Sequence, residues 1–145
     1  MNTMKKTILW GFALVCTAVA CQQTDPEAAQ RKEISDEVIE IHDEIMPLTE
    51  KFDRSELKID SILNDFSKYA EHFEDVDSTE LRQNLLTLKE NLEEANEQMM
   101  TWMNDYELDN SVLEYHEEEL KKIQDLENTY HRVNSEREEL LNIFK

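Results

Sequence analysis

The apolar residues fall into three runs that advance by alternating steps of four and three. The first begins at Ile34 and passes through Val38, Ile41, Ile45, Leu48, Phe52, Ser55, Ile59, Ile62, Phe66 and Tyr69 to Phe73, with Ser55 its one polar member. Side chains so spaced share one face of an α-helix and form a coiled-coil seam. Pro47 lies off the seam. It removes one amide and crowds the carbonyl of Asp43, which predicts a kink there and not a break. The second run is Leu81, Leu85, Leu88, Leu92, Ala95, Met99, Trp102 and Tyr106. The third turns Leu113, His116, Leu120, Ile123, Leu126, Tyr130, Val133, Leu140 and Phe144 inward, with a stutter near Leu126 and a polar Arg137.

Two polar stretches, "EDVDSTE" and "ELDNS", separate the runs. Asp77 with Glu80, and Ser111 with Glu114, have the spacing of capping boxes that open a helix. The spacing therefore predicts helices over 31–73, 78–107 and 111–144. Short connections make consecutive helices antiparallel neighbours. The expected fold is all-α: an antiparallel, up-down-up three-helix bundle of coiled-coil character over residues 31–145. No strand-like alternation competes, and no repeat of 20–50 residues is visible.

The N-terminal residues follow different rules. Lys5 and Lys6 precede an apolar run, Thr7 to Cys16, that is too short to span a bilayer as a helix. Residues 1–20 read as an export signal. The segment Ala18-Val19-Ala20-Cys21 resembles a lipobox, the bacterial lipoprotein cleavage site, with Ala18 where leucine is usual. That resemblance implies cleavage before Cys21 and lipidation of its thiol. Residues 21–30 are then the lipidated cysteine and a polar tether. The expected address is the cell envelope, lipid-anchored, at the outer membrane facing the periplasm.

Removing residues 1–20 changes what chemistry is open to the chain. Cys16 goes with them, so the mature protein of 125 residues cannot form an internal disulfide. Gly11, the only glycine, goes too, and a chain without glycine builds neither a Gly-rich phosphate loop nor a nucleophile elbow. The mature chain keeps 13 basic against 34 acidic side chains, a net charge of −21, because both lost charges are lysines. Such a chain repels nucleic acid and anionic lipid and attracts cations and basic partners. No HExxH and no Glu-x-x-His occurs, and no carboxylate stands in an apolar context, so an enzyme is not expected.

Within this pattern the stretch "ANEQMMTWMNDY", residues 95–106, stands out. Met99 and Trp102 lie on the seam, where a core role accounts for both. Met100 and Met103 lie one residue past it, at b and e heptad sites, and His42 and Met46 hold the matching e and b sites of the first helix. All four methionines of the mature chain (Met46, Met99, Met100 and Met103) and its one tryptophan occupy this zone. Generic filler would be scattered. Thioethers select copper(I) or silver(I) over harder ions, and a tryptophan face shields such an ion. These residue types resemble the Met-Met-His-Trp site of small periplasmic copper(I) chaperones, which have a β-barrel fold, so that likeness is one of chemistry alone.

The antiparallel register decides whether these residues meet. Matching a and d layers requires paired residue numbers to share a constant sum, either 147, as for Ile45 with Trp102 and Phe52 with Ala95, or 154. The first sets His42 and Met103 within about 3 Å along the axis, with Met46 and Met100 flanking them. The second pairs Met46 with Met103 and moves His42 outward. Reflection of Trp102 through the second turn adds His116 as a candidate at the same height.

The segments "IHDEIMP" and "EEANEQMMTWMNDY", with the lipidated N-terminus, resemble the small bacterial lipoproteins labelled viral A-type inclusion protein. The likeness covers the signal and the first two helices well and the third loosely. The shared positions are His42, Met46, Pro47, Met99, Met100, Trp102 and Met103; His116 lies outside them. The family label describes coiled-coil similarity and implies no activity. Two functions from different classes remain. One is an interaction or structural module of the envelope with a membrane anchor, a basic envelope protein as partner, and neither nucleic acid nor nucleotide as ligand. The other is a soft-metal lipoprotein that binds copper(I) or silver(I) through His42, Met46, Met99, Met100, Trp102 and Met103.

Overall fold

The computed structural model describes residues 25–70 and 77–144. The expected signal peptide at 1–20, Cys21 and the leading residues of the tether lie outside the described residues, as do residues 71–73, the end of the first expected helix, and 74–76 of the first expected turn. The described chain forms four helices and no strand: α1 (Pro26–Asn64), α2 (Phe66–Ala70), α3 (Ser78–Asp105) and α4 (Leu113–Asn142). No helix among the described residues is long and apolar enough to cross a membrane.

Each long helix packs on the other two, and α2 packs on α1. Cross-helix contacts fix the directions. Asn96 and Lys89 of α3 reach Asp53 and Asp60 of α1, so residue numbers rise along one helix as they fall along the other, and the pair is antiparallel. Ser35 meets His116, and Thr49 meets Tyr130, both at a sequence offset of 81, so α4 runs parallel to α1. Asn91 with Glu136 and Asn96 with Tyr130 make α3 and α4 antiparallel.

The core sits along the expected seams. Val38, Ile45, Phe52, Ile59, Leu85, Leu92, Met99, Ile123, Tyr130 and Val133 are completely buried. Phe52 and Tyr130 stack at 5.0 Å. At mid-height one polar node joins all three long helices: the Tyr130 hydroxyl donates to Asn96 Oδ1 at 3.1 Å and lies 3.3 Å from Thr49 Oγ1. A satisfied polar cluster in an apolar core discriminates against slipped registers, which would leave its members unpaired. Ser55, the polar seam residue, is buried because its hydroxyl bonds back to the Lys51 carbonyl at 2.7 Å.

Several boundaries differ from the expected ones. The first helix starts at Pro26, within the expected tether. Asp25 caps it by accepting from the Glu27 amide, and Pro26 supplies a preset φ and needs no partner for an amide. At the other end α1 stops at Asn64. Asp65 is its C-cap, and α2 resumes one residue later, so the expected continuous helix to residue 73 is interrupted. Asn and Asp side chains compete for local backbone groups, which makes Asn64-Asp65 a weak point. Pro47 lies inside α1, which continues through it as expected. Asp77 caps α3 as expected, accepting from the amides of Thr79 and Glu80. The expected Ser111–Glu114 box is absent: α4 begins at Leu113, Val112 is its N-cap without a side-chain bond, and Asn110 turns the chain by accepting from the Val112 amide at 3.0 Å. The third seam also shifts at its end, where Leu141 is buried and Leu140 only half-buried, the drift expected after the stutter.

Candidate functional site

The α1–α3 edge carries a ladder with a seven-residue period. Lys89 Nζ bonds to Asp60 at 2.6 Å, and one heptad further Asn96 Nδ2 bonds to Asp53 at 2.8 Å. The next rung of the same period brings Met103 level with the stretch of α1 that holds both His42 and Met46. The paired numbers add to 149 on both measured rungs, and to 145 and 144 for Asn96 with Thr49 and Trp102 with His42. They cluster around 147 and not 154, so the first of the two registers is the one adopted.

The side chains around this rung divide in two. Met99 is fully buried, and Trp102 is 7% exposed. The Trp102 ring stacks on Tyr106 at 5.0 Å and meets the His42 ring at 5.9 Å. Tyr106 continues to Tyr115 and then to His116, giving one aromatic file from α1 across the end of α3 onto α4. Met100 and Met103, by contrast, are 47% and 42% exposed. Met46 is half-buried against the core, its sulfur 4.0 Å from the Thr49 hydroxyl. The His42 side chain is 18% exposed, and its Nδ1 lies 3.0 Å from Asp43 Oδ1. This edge is therefore a half-open apolar strip of Met46, Met100 and Met103 with an imidazole beside it.

The Trp102 indole N–H donates to Glu119 Oε2 at 2.9 Å. Glu119 is a buried carboxylate, and its other oxygen accepts from Lys122 at 2.6 Å. That bond raises the pKa of Lys122. So the two polar ends of Trp102's surroundings are fixed: Glu119 from α4 holds the N–H, and His42 from α1 covers the ring. The sequence reading missed Glu119. It ends the run Glu117-Glu118-Glu119, where nothing in composition separates a buried member from solvated ones.

His116 does not join the methionine strip. It is 1% exposed; its Nδ1 lies 3.0 Å from Ser35 Oγ, and its Nε2 lies 2.7 Å from the Asn110 carbonyl. A carbonyl only accepts, so Nε2 carries the proton and Nδ1 accepts from the Ser35 hydroxyl. Trp102 is level with Glu119, one turn further along α4, which is why the reflection through the turn misplaced His116. His116 is a tie between α1 and the α3–α4 connection. Ser35, its partner, lay off the expected seam and was not anticipated.

No known protein family, no curated protein and no solved structure matches this chain.

Proposed function

We propose that the protein is a membrane-anchored lipoprotein of the cell envelope, akin to the small lipoproteins labelled viral A-type inclusion protein, in which an up-down-up three-helix bundle serves as an interaction module. Cys21 is the anchor, residues 1–20 the signal that is removed, and the outer membrane facing the periplasm the address. The observation that carries the interaction reading is the exposure of Met100 and Met103, 47% and 42%, directly beside Met99 and Trp102, which already satisfy the core. A polar residue would serve at either site. Methionine at the surface gives an adaptable apolar contact, and a net charge of −19 for the whole chain favours a basic envelope protein as the partner.

The test is site-specific photo-crosslinking in the native host. A crosslinker at position 100 or 103 should give one discrete adduct. The same group at Asn128, an exposed α4 position, should not. Equal labelling from all three positions would sink the interaction reading. Cys21→Ser should release the protein from membranes or block its processing; membrane retention of that variant would remove the anchor.

A second reading has its own support. The adopted register puts Met103 at the height of His42 and Met46, beside the His42–Trp102 ring contact, which supports a soft-ligand edge. In this reading the strip binds copper(I) or silver(I). Copper(I) should then quench Trp102 fluorescence, and a Met46→Leu, Met103→Leu double variant should bind it more weakly with helicity unchanged. Copper(I) affinity equal to the parent's would leave the methionines as contact surface only.

A further inference from the structure

A second set of ligating side chains, none of them used above, lies between α1 and α4. Glu127 and His131 stand one turn apart on α4, and Glu44 reaches them from α1. One oxygen from each glutamate and one imidazole nitrogen all lie within 4.8 Å of one another. His131 Nε2 is 3.9 Å from Glu127 Oε1. We propose that Glu44, Glu127 and His131 form a binding site for a divalent transition-metal ion of the zinc class. The inference stands apart from both functional readings, since it shares no residue with the methionine strip and concerns a different class of ion.

Geometry supports the site. Bonds of about 2.0–2.2 Å place neighbouring ligands about 3.3–3.5 Å apart around a tetrahedral ion. The measured 3.9 Å is close to that spacing, and the 4.8 Å limit closes by rotation about the outer bonds of two glutamates. Helical spacing i, i+4 already points Glu127 and His131 to one side. Three protein ligands leave a further position for water.

Electrostatics supports it separately. Glu44 and His131 are exposed and Glu127 is half-buried, so an ion can reach the trio from solvent, and the ion-pair partner of Glu127 is His131 itself. Two carboxylates thus share one imidazole on a chain of net charge −19. A dication offsets that negative charge. The imidazole decides which dication. Magnesium and calcium prefer oxygen alone, while zinc and its neighbours accept mixed nitrogen and oxygen. With no sulfur in the set, copper(I) is not favoured. Because Glu44 and the α4 pair are far apart in sequence, the ion would clamp the first helix to the last and stabilise the folded state.

The experiment is a zinc titration of the purified full-length protein against a chromophoric chelator, with thermal melts followed by circular dichroism. One zinc per chain should bind and raise the melting temperature. Glu44→Gln and His131→Ala should each weaken binding by at least about tenfold and abolish the rise, while Glu90→Gln, at an exposed α3 position, should change affinity by less than about twofold. His131→Asn, closer in shape, should behave like His131→Ala, which separates loss of a ligand from loss of packing. Magnesium in excess should not displace the zinc. Zinc affinity unchanged in the Glu44→Gln, His131→Ala double variant would overturn the proposal. So would displacement by magnesium, which would mark the trio as an ordinary solvated acidic face, or loss of zinc on Glu90→Gln.

Discussion

At the residue scale, the two buried polar ties are worth more than their size suggests. His116 satisfies both the Ser35 hydroxyl and the Asn110 carbonyl from a position 1% exposed. His116→Leu keeps an apolar volume there but leaves the buried Ser35 hydroxyl without its partner and takes the donor from the half-buried Asn110 carbonyl. An unpaired buried group costs about 1–3 kcal/mol, so a loss of about 2 kcal/mol is expected in urea unfolding at neutral pH. Ser35→Ala strands only the imidazole Nδ1 and should cost less. A cost for Ser35→Ala as large as that for His116→Leu would mean that the serine, and not the histidine, secures the connection. Neither tie was legible in the sequence. A histidine on a seam has many possible partners, and Ser35 and Glu119 sit one position off the apolar pattern, where only the assembled helices give them a reason to be buried. Met99 and Trp102, on the pattern, were legible as core, and the exposure of Met100 and Met103 follows from their place one residue beyond it.

At the scale of elements, periodicity was enough to find the three long helices and their mutual faces, but not their ends. Phe66 and Tyr69 continue the seam across the Asp65 interruption, so the pattern carries no sign of the break. The start at Pro26 was signalled by Asp25-Pro26, an N-cap followed by a proline at the first helical position, but the polar residues after it lack a seam to draw attention to it. The register between α1 and α3 was reduced to two sums by the apolar layers and is decided by polar rungs such as Lys89 with Asp60. Those rungs have a cost. Glu56 lies between them, and burial, followed by the nearby Glu93, Asp53 and Asp60, pushes its pKa up, with Lys89 opposing. A carboxyl whose folded pKa is raised binds its proton more tightly when folded, so ionising it at neutral pH subtracts from stability. Glu56→Gln should therefore raise the melting temperature at pH 7. The gain should shrink as pH falls through the raised pKa of Glu56 and vanish below the unfolded value, where the carboxyl is neutral in both states. A gain that persists unchanged in acid would show that the amide acts through packing.

For the whole molecule, a net charge of −19 sets a repulsive background against which single ion pairs count for little. Most of the pairs, such as Arg54 with Glu50 and Arg132 with Glu136, are exposed. Added salt screens charges over about 10 Å at 0.1 M, weakening both the pairs and the repulsion. With more than twice as many acidic as basic side chains the repulsion dominates, so sodium chloride should raise the melting temperature by a few degrees. A fall with salt would mean that the pairs outweigh the repulsion.

The offset of 81 residues between α1 and its parallel neighbour α4 has a consequence for how the chain acquires its structure. The helices with the most extensive shared interface are the first and the last. A nascent chain that has released α1 and α3 can pair them as a hairpin, but Ile45, Phe52 and Ile59 then still lack the cover that Ile123, Tyr130 and Val133 bring. Closure waits for the final quarter of the polypeptide, and the interactions gained there span long loops that cost entropy before they give anything back. Folding should accordingly be slower than the local helical content suggests, and any intermediate lacking α4 would expose an apolar seam to chaperones and to other copies of itself.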